Sequence, residues 1–163
     1  MAFPAGTDVA RTTVLGGVAQ EVIMRETFLV GRILLGGYLL WSGIHHFADV
    51  AAMSQYAAAK GVPLPAVAVI AAGVLLLIAG FSFLLGLAPK VGIAAFVLFI
   101  VPVTLAMHPF WGEHGAARAQ DMVHFTKNLG LLGAVLGLAM VPEPWPLGVE
   151  TRRRIFRWRH ARI

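Results

Sequence analysis

The sequence predicts an all-α polytopic membrane protein built as an antiparallel bundle of four transmembrane helices. Its 163 residues are 58% hydrophobic and only 13% charged, and the mean hydropathy is +0.78. Soluble domains average about 25% charged residues, so an ordinary soluble fold is excluded. Four apolar stretches also approach the roughly 20 residues that cross a bilayer core. The chain has no cysteine, which excludes disulfides, thiolate metal sites and a cysteine nucleophile.

The predicted spans cover, within a few residues, Thr27 to Phe47, Val67 to Leu87, Val91 to Met107 and Phe125 to Val141. Each is expected to be helical because lipid offers no partner to unpaired backbone groups. Only Ala88, Pro89 and Lys90 separate the second and third spans, so these two must be antiparallel neighbours. Pro102 is expected to bend the third span. Trp145, after the fourth span, is expected at the membrane interface.

Basic residues predict the orientation of these spans. With four spans, both termini share one side with Lys90, and that side also holds Arg11, Arg25 and the six arginines after residue 151. The opposite side holds only Lys60, Arg118 and Lys127. Because cytoplasmic flanks collect Lys and Arg, both termini are predicted to be cytoplasmic. The predicted organisation is a cytoplasmic N-terminal segment (1–26), a four-span domain (27–141) and a cytoplasmic basic tail (142–163).

Polar residues gather at the ends of the spans opposite the termini, where five of the six histidines fall. Helical spacing places three groups there: Tyr38, Trp41, Ser42, His45 and Asp49 with His46 beside them; Thr104 and His108; and Asp121, His124 and Asn128 with Lys127 adjoining. Because the ends of an antiparallel bundle converge, we expect these side chains to line a cup. Asp49 and Asp121 are the expected partners of Lys127.

Several uses of this cup stay open. Imidazole and carboxylate groups bind metals, with His46, His108 and His124 as weak candidates, and two histidines can hold a haem iron. Alternatively, the polar groups could bind a quinone-like ring against Trp41, Tyr38 or Trp111. The interpretation without a ligand is that histidines and aromatic residues favour the membrane–water interface.

Two further features have a structural and a functional interpretation. Arg32, one turn inside the first span, either snorkels to the headgroups or to Glu26, or contacts an anion or headgroup. The spacing Gly133-x-x-x-Gly137 allows close helix packing, either inside the bundle or in a homo-oligomer.

Several of these residues together resemble the DoxX family of small bacterial membrane proteins. They are Arg32, the run Ser42 to Phe47, the stretch Gly80 to Leu87, His108-Pro109-Phe110-Trp111, and the run His124 to Leu129. The resemblance covers roughly residues 28 to 141. It implies a four-helix bundle in the bacterial inner membrane, and it implies site roles for Arg32, His108, Trp111, Lys127 and Asn128.

The same resemblance implies a link to quinone or redox-stress chemistry, since the family includes the DoxD-type subunit of an archaeal thiosulfate:quinone oxidoreductase. This sequence departs from the common pattern at His46, where many members carry Lys, and at Leu76, where many carry Glu. We therefore expect an accessory subunit in quinone-linked or redox-stress chemistry, whether or not it is itself an enzyme. The alternatives are a non-catalytic anchor for a partner protein and a small-molecule binder without redox chemistry. The expected surroundings are the lipid bilayer and a redox partner protein, and no nucleic acid.

Overall fold

The computed structural model describes residues 6–151, with side chains from residue 14 onward. Five α-helices follow one another: α1 (Gly6–Ala48), α2 (Val50–Ala59), α3 (Pro65–Leu85), α4 (Pro89–Met107) and α5 (Gly115–Leu138), with a 3-10 turn at Phe110–Gly112 before α5. No strand occurs within these residues, so the all-α prediction is confirmed. The basic tail from Arg152 onward lies outside the described residues.

Proline and glycine set the boundaries of the two central helices. α3 begins at Pro65 and α4 at Pro89, where the missing N–H of proline costs no helical hydrogen bond. α3 ends at Leu85, and the next residue, Gly86, caps it with a φ of +62°, which suits a residue without a Cβ atom. The two helices form the predicted antiparallel hairpin.

Three helices in the described part of the chain are long and apolar enough to cross a membrane: Val14–Ala48, Pro65–Leu85 and Pro89–Gly112. The protein is therefore a membrane protein that sits in a lipid bilayer. The fourth predicted span overlaps the second part of α5 and runs three residues past its end at Leu138. α5 carries Arg118, Asp121 and Lys127 and is not among these three helices. A complete four-span bundle stays a prediction.

α1 is longer than the predicted first span. Its 43 residues correspond to about 65 Å at 1.5 Å per residue, about twice the thickness of a bilayer core. The predicted N-terminal segment, from Gly6 onward, continues directly into the span as one helix. Side chains at residues 14–26 are exposed, including Val14, Val18 and Val22.

The helices pack in the order α1, α3, α4 and α5, with α2 lying over α3. Glycines bring α1 and α3 together, because a Cβ atom on Gly36 would lie 2.8 Å from the backbone nitrogen of Leu84. At Gly133 and Gly137 a Cβ atom would meet nothing within 4 Å, so of the two predicted roles packing inside the bundle is wrong and a homo-oligomer face stays a prediction. This part of α5 presents an open face.

The buried core lies among α1, α3, α4 and α5. It contains Leu39, Leu76, Ala79, Phe83, Ile93, Ala95, Phe96, Ile100, Val135 and Trp145. Leu76, the position where many DoxX relatives are expected to carry Glu, is thus a packed apolar side chain. Trp145 is fully buried, with ring centroids 5.3 Å from Phe28 and 5.8 Å from Phe83. Trp145 is therefore buried in the protein rather than exposed to lipid headgroups, because residues 142–148 fold back against the α3–α4 hairpin.

Candidate functional site

A cavity of about 430 Å³ lies among α1, α2, α3 and α4, at the end of the molecule where α2 is found. We call this the α2 end, and the opposite end, with residues 82–89 and 142–151, the hairpin end. Small side chains create the space, including Ala68 and Ala72 of α3 and Ala106 of α4. Apart from His46, His108 and Tyr56, the lining side chains are apolar. Volume and composition match small-molecule sites, which measure about 300–1,000 Å³.

His46 reaches the cavity from α1. Its Nδ1 lies 2.8 Å from the carbonyl oxygen of Ser42, one turn earlier, and its ring stands edge-on to Phe99 with centroids 6.1 Å apart. A carbonyl oxygen can only accept a hydrogen bond, so Nδ1 is the nitrogen that donates. The other nitrogen, Nε2, makes no hydrogen bond among the described residues.

His108 reaches the cavity from the end of α4 and connects it to a group of charged residues. Its Nδ1 lies 3.2 Å from Oδ1 of Asp121, and Oδ2 of Asp121 accepts a hydrogen bond of 2.9 Å from Nζ of Lys60. Lys60 also donates to Glu113 at 3.1 Å. We call Lys60, His108, Glu113 and Asp121 the polar cluster. It joins the end of α2, the end of α4, the 3-10 turn and α5.

The charges of this cluster stabilise one another outside the apolar spans. The hydrogen bonds that Lys60 donates to Asp121 and to Glu113 raise the pKa of Lys60 above its ordinary value. The hydrogen bond from Lys60 lowers the pKa of Asp121, although burial of this carboxylate opposes the effect. Asp121 is therefore an anion that holds the His108 ring in place, as carboxylates do in His–Asp pairs.

α5 adds three predicted residues beside the polar cluster. The His124 ring stacks on His108 with centroids 4.9 Å apart, and Nζ of Lys127 lies 3.2 Å from Nδ1 of His124. The predicted pairing of Lys127 with Asp49 or Asp121 is wrong, because Lys127 forms no ion pair with either carboxylate and instead contacts His124. Asn128 is buried one turn beyond His124.

Other predicted cup residues lie elsewhere at the same end. Trp41 is 66% exposed and packs on His45, whose Nδ1 lies 3.0 Å from the carbonyl oxygen of Trp41. Asp49 is exposed at the start of α2 and caps it with no side-chain hydrogen bond. Trp111 packs edge-on against Phe125, outside the cavity lining. The helical stripe on α1 therefore points largely away from the polar cluster.

Arg32 lies at the hairpin end, far from these groups. It is 2% exposed, and its guanidinium donates to the carbonyl oxygens of Phe83 (3.0 Å), Leu84 (3.2 Å) and Pro146 (2.7 Å). The expected snorkelling to headgroups or to Glu26 is wrong. The Arg32 guanidinium instead donates hydrogen bonds to backbone carbonyls at the end of α3, which have no partner within the helix. Its hydrogen bond to Pro146 also holds residues 142–148 against α3.

The donor geometry does not assemble a metal site in the part of the chain that the structure describes. No group of three or more His, Asp or Glu side chains there is arranged to hold an ion. His108 and His124 are stacked face to face, which directs their nitrogens away from a common point. His46 belongs to no such group among the described residues.

Sequence reasoning missed Lys60, which holds the polar cluster together, and Tyr56, which lines the cavity. The available signal was that Lys60 is one of three Lys and Arg residues on the side of the membrane predicted to be external, which also holds the carboxylates Glu113 and Asp121. The cavity itself had no sequence signal beyond the alanines of α3 and Pro102, which also lines it.

The sequence is similar to one protein family and to one bacterial inner membrane protein. The family model described as DoxX matches residues 27–109, about half of the chain. The inner membrane protein YphA of Escherichia coli (strain K12) is 27% identical over 136 residues, which is 83% of this chain and 94% of YphA. No solved structure matches significantly. Every residue that lines the cavity falls inside the segment that the family model matches.

Proposed function

The chain belongs to the DoxX family, and we propose that it binds a quinone-like molecule as an accessory subunit in quinone-linked or redox-stress chemistry at the bacterial inner membrane. The observation that supports this most is the cavity at the α2 end, with apolar walls and two histidines. An apolar wall takes the ring and tail of such a ligand, and a few polar groups fix its orientation.

The same proposal includes the topology. Phe125 to Val141 would be the fourth span, and both termini would be cytoplasmic, which places the cavity near the outer surface of the membrane. The charge asymmetry supports this orientation. Reporter fusions after Ile163 and between His108 and His124 should give opposite results, and a C-terminal fusion active outside the cytoplasm would contradict it.

The cavity can be tested by filling it. Ala72 lines the cavity, so Ala72→Phe should occupy the space that a ligand needs. Ala94 is an exposed alanine of α4 that lies outside the lining, so Ala94→Phe is a matched control. Purified wild type and both variants would be titrated with a benzoquinone carrying a decyl tail, and lipids extracted from each would be analysed for co-purified quinone.

We expect Ala72→Phe to weaken binding by about tenfold or more, which corresponds to about 1.4 kcal/mol, and to lose co-purified quinone. Ala94→Phe should resemble wild type. Equal binding per folded molecule in all three proteins would contradict a quinone site in this cavity.

A second candidate function, a non-catalytic interaction module, is favoured by two exposed surfaces. The first half of α1 exposes Val14, Val18 and Val22, and α5 exposes the face with Gly133 and Gly137. Under this function, Gly133→Leu would disrupt a complex with a partner or second copy without destabilising the chain, because that face is open. It would leave quinone binding unchanged.

A further inference from the structure

Both histidines of the cavity have their tautomer set by what Nδ1 touches. Nδ1 of His46 faces the carbonyl oxygen of Ser42, and Nδ1 of His108 faces a carboxylate oxygen of Asp121. Both partners accept hydrogen bonds and neither donates one. In the neutral form of each ring, the proton is therefore on Nδ1, and Nε2 carries the lone pair.

The structure leaves these two Nε2 atoms available. Neither forms a hydrogen bond with another described residue, and both rings line the cavity. The remaining polar group of the lining, the Tyr56 hydroxyl, can both donate and accept, so it does not distinguish between ligands. The two imidazoles are therefore the lining groups that distinguish ligands with hydrogen-bond donors from ligands with acceptors only.

We infer that the cavity selects a ligand with hydroxyl donors, the hydroquinone form of a quinone, over the oxidised form. The inference rests on the proposed quinone site and adds which redox form occupies it. A hydroquinone presents O–H groups, which a lone pair on Nε2 accepts. A quinone presents only carbonyl oxygens, which two acceptors cannot satisfy, and a buried unpaired acceptor is unfavourable.

Asp121 is the positioning residue for this preference, and the structure shows how to reverse it at one histidine. Its two oxygens are divided between Lys60 at 2.9 Å and His108 at 3.2 Å. In Asp121→Asn, Lys60 can bond only to the amide oxygen, so the amide nitrogen would face His108. That nitrogen donates to Nδ1, which moves the imidazole proton to Nε2 and turns an acceptor into a donor.

Glu113 provides the matched control. It accepts a hydrogen bond from the same Lys60 but lies outside the cavity lining and has no hydrogen bond to His108. Glu113→Gln removes one negative charge from the polar cluster, as Asp121→Asn does, without acting on the tautomer of His108.

The test measures binding of three probes under anaerobic conditions: a decyl-substituted benzoquinone, its hydroquinone, and the dimethyl ether of that hydroquinone. The ether keeps the ring and tail but has no O–H donor. In wild type, we expect the hydroquinone to bind about tenfold tighter than the other two probes, the equivalent of one hydrogen bond. Asp121→Asn should reduce this preference to near equality or invert it, and Glu113→Gln should retain it.

Equal affinity of wild type for hydroquinone and ether would overturn the inference, even if Asp121→Asn proved too unstable to test. A shift of equal size in Glu113→Gln would overturn it as well, because charge rather than tautomer would then be responsible. In either case, continued loss of binding in Ala72→Phe would show that the quinone site itself stands. If Ala72→Phe bound every probe as well as wild type, the proposed function would fail instead.

Discussion

The two ends of the molecule use rare polar residues in opposite ways. At the hairpin end, Arg32 is surrounded, and each of its three nitrogens donates to a backbone carbonyl. At the α2 end, His46 and His108 each use Nδ1 in a hydrogen bond, and Nε2 of each ring has no partner among the described residues and lies beside the apolar cavity. Saturated polar groups rigidify a fold, whereas groups with spare hydrogen-bonding capacity are available to a ligand.

The two ends also differ in packing: the hairpin end is filled by a large side chain, and the α2 end contains a cavity. Trp145 is fully buried at the hairpin end and contacts Phe28 and Phe83, whereas several alanines line the cavity at the α2 end. The comparison predicts that substitutions at the hairpin end reduce stability, and that substitutions at the α2 end change binding more than stability.

Removing Trp145 should have the largest effect. Trp145→Ala would leave a cavity in the core and is expected to cost about 3–5 kcal/mol, measured by unfolding in detergent. Trp145→Phe should cost much less, because the buried indole N–H has no hydrogen-bond partner among residues 6–151 and phenylalanine keeps an aromatic ring without that donor. If the two variants were equally unstable, packing would not explain the role of this residue.

Arg32→Lys should have the next largest effect. A single ammonium cannot reach three carbonyls that a planar guanidinium reaches together, so we expect a loss of about 2 kcal/mol. Arg25→Lys, on the exposed part of α1, is the control and should change unfolding little. Loss of quinone binding without loss of stability would instead indicate the ligand contact that the family resemblance implies for Arg32.

The sequence predicted what local patterns determine. Three spans and the α3–α4 hairpin follow from the length of the apolar stretches and from the positions of proline, which are local features of the sequence. The partners of Arg32 and Lys60 do not follow from local patterns. Pro146 is 114 positions from Arg32, and Asp121 is 61 positions from Lys60. Both contacts therefore depend on the tertiary packing of distant helices.

The predicted cup was correct in part for the same reason. His108, Asp121, His124 and Lys127 do lie together, because α4 and α5 are neighbours in sequence and in space. Trp41 and Asp49 do not join them. Helical spacing places residues on one stripe but does not say which neighbour that stripe faces.

The smallest expected effect concerns the pH dependence of the polar cluster. Lys60 lowers the pKa of Asp121 below its ordinary 3.8, so this stabilisation is present above that pH and is lost as the pH falls through the folded value. The pKa of Lys60 is raised above 10.5, so its contribution is complete below 10.5 and is lost as the pH rises through the folded value.

Lys60→Met should therefore lower the melting temperature in detergent by a nearly constant amount between about pH 5 and pH 9, and by less below about pH 4. Lys90→Met, on an exposed lysine near the hairpin end, should show no such change with pH. A Lys60→Met deficit that grows on acidification would contradict the assignment of charges in this cluster.

The most direct test of a sealed hairpin end and a ligand-binding α2 end is photolabelling with a quinone that carries a photoreactive azide. Met53 and Met107 line the cavity, whereas Met24 and Met140 are exposed outside it. Mass spectrometry of labelled protein should find the adduct on peptides containing Met53 or Met107, with competition by unlabelled decyl-benzoquinone and loss in Ala72→Phe. Labelling that is confined to peptides containing Met24 or Met140, or that resists competition, would contradict the account.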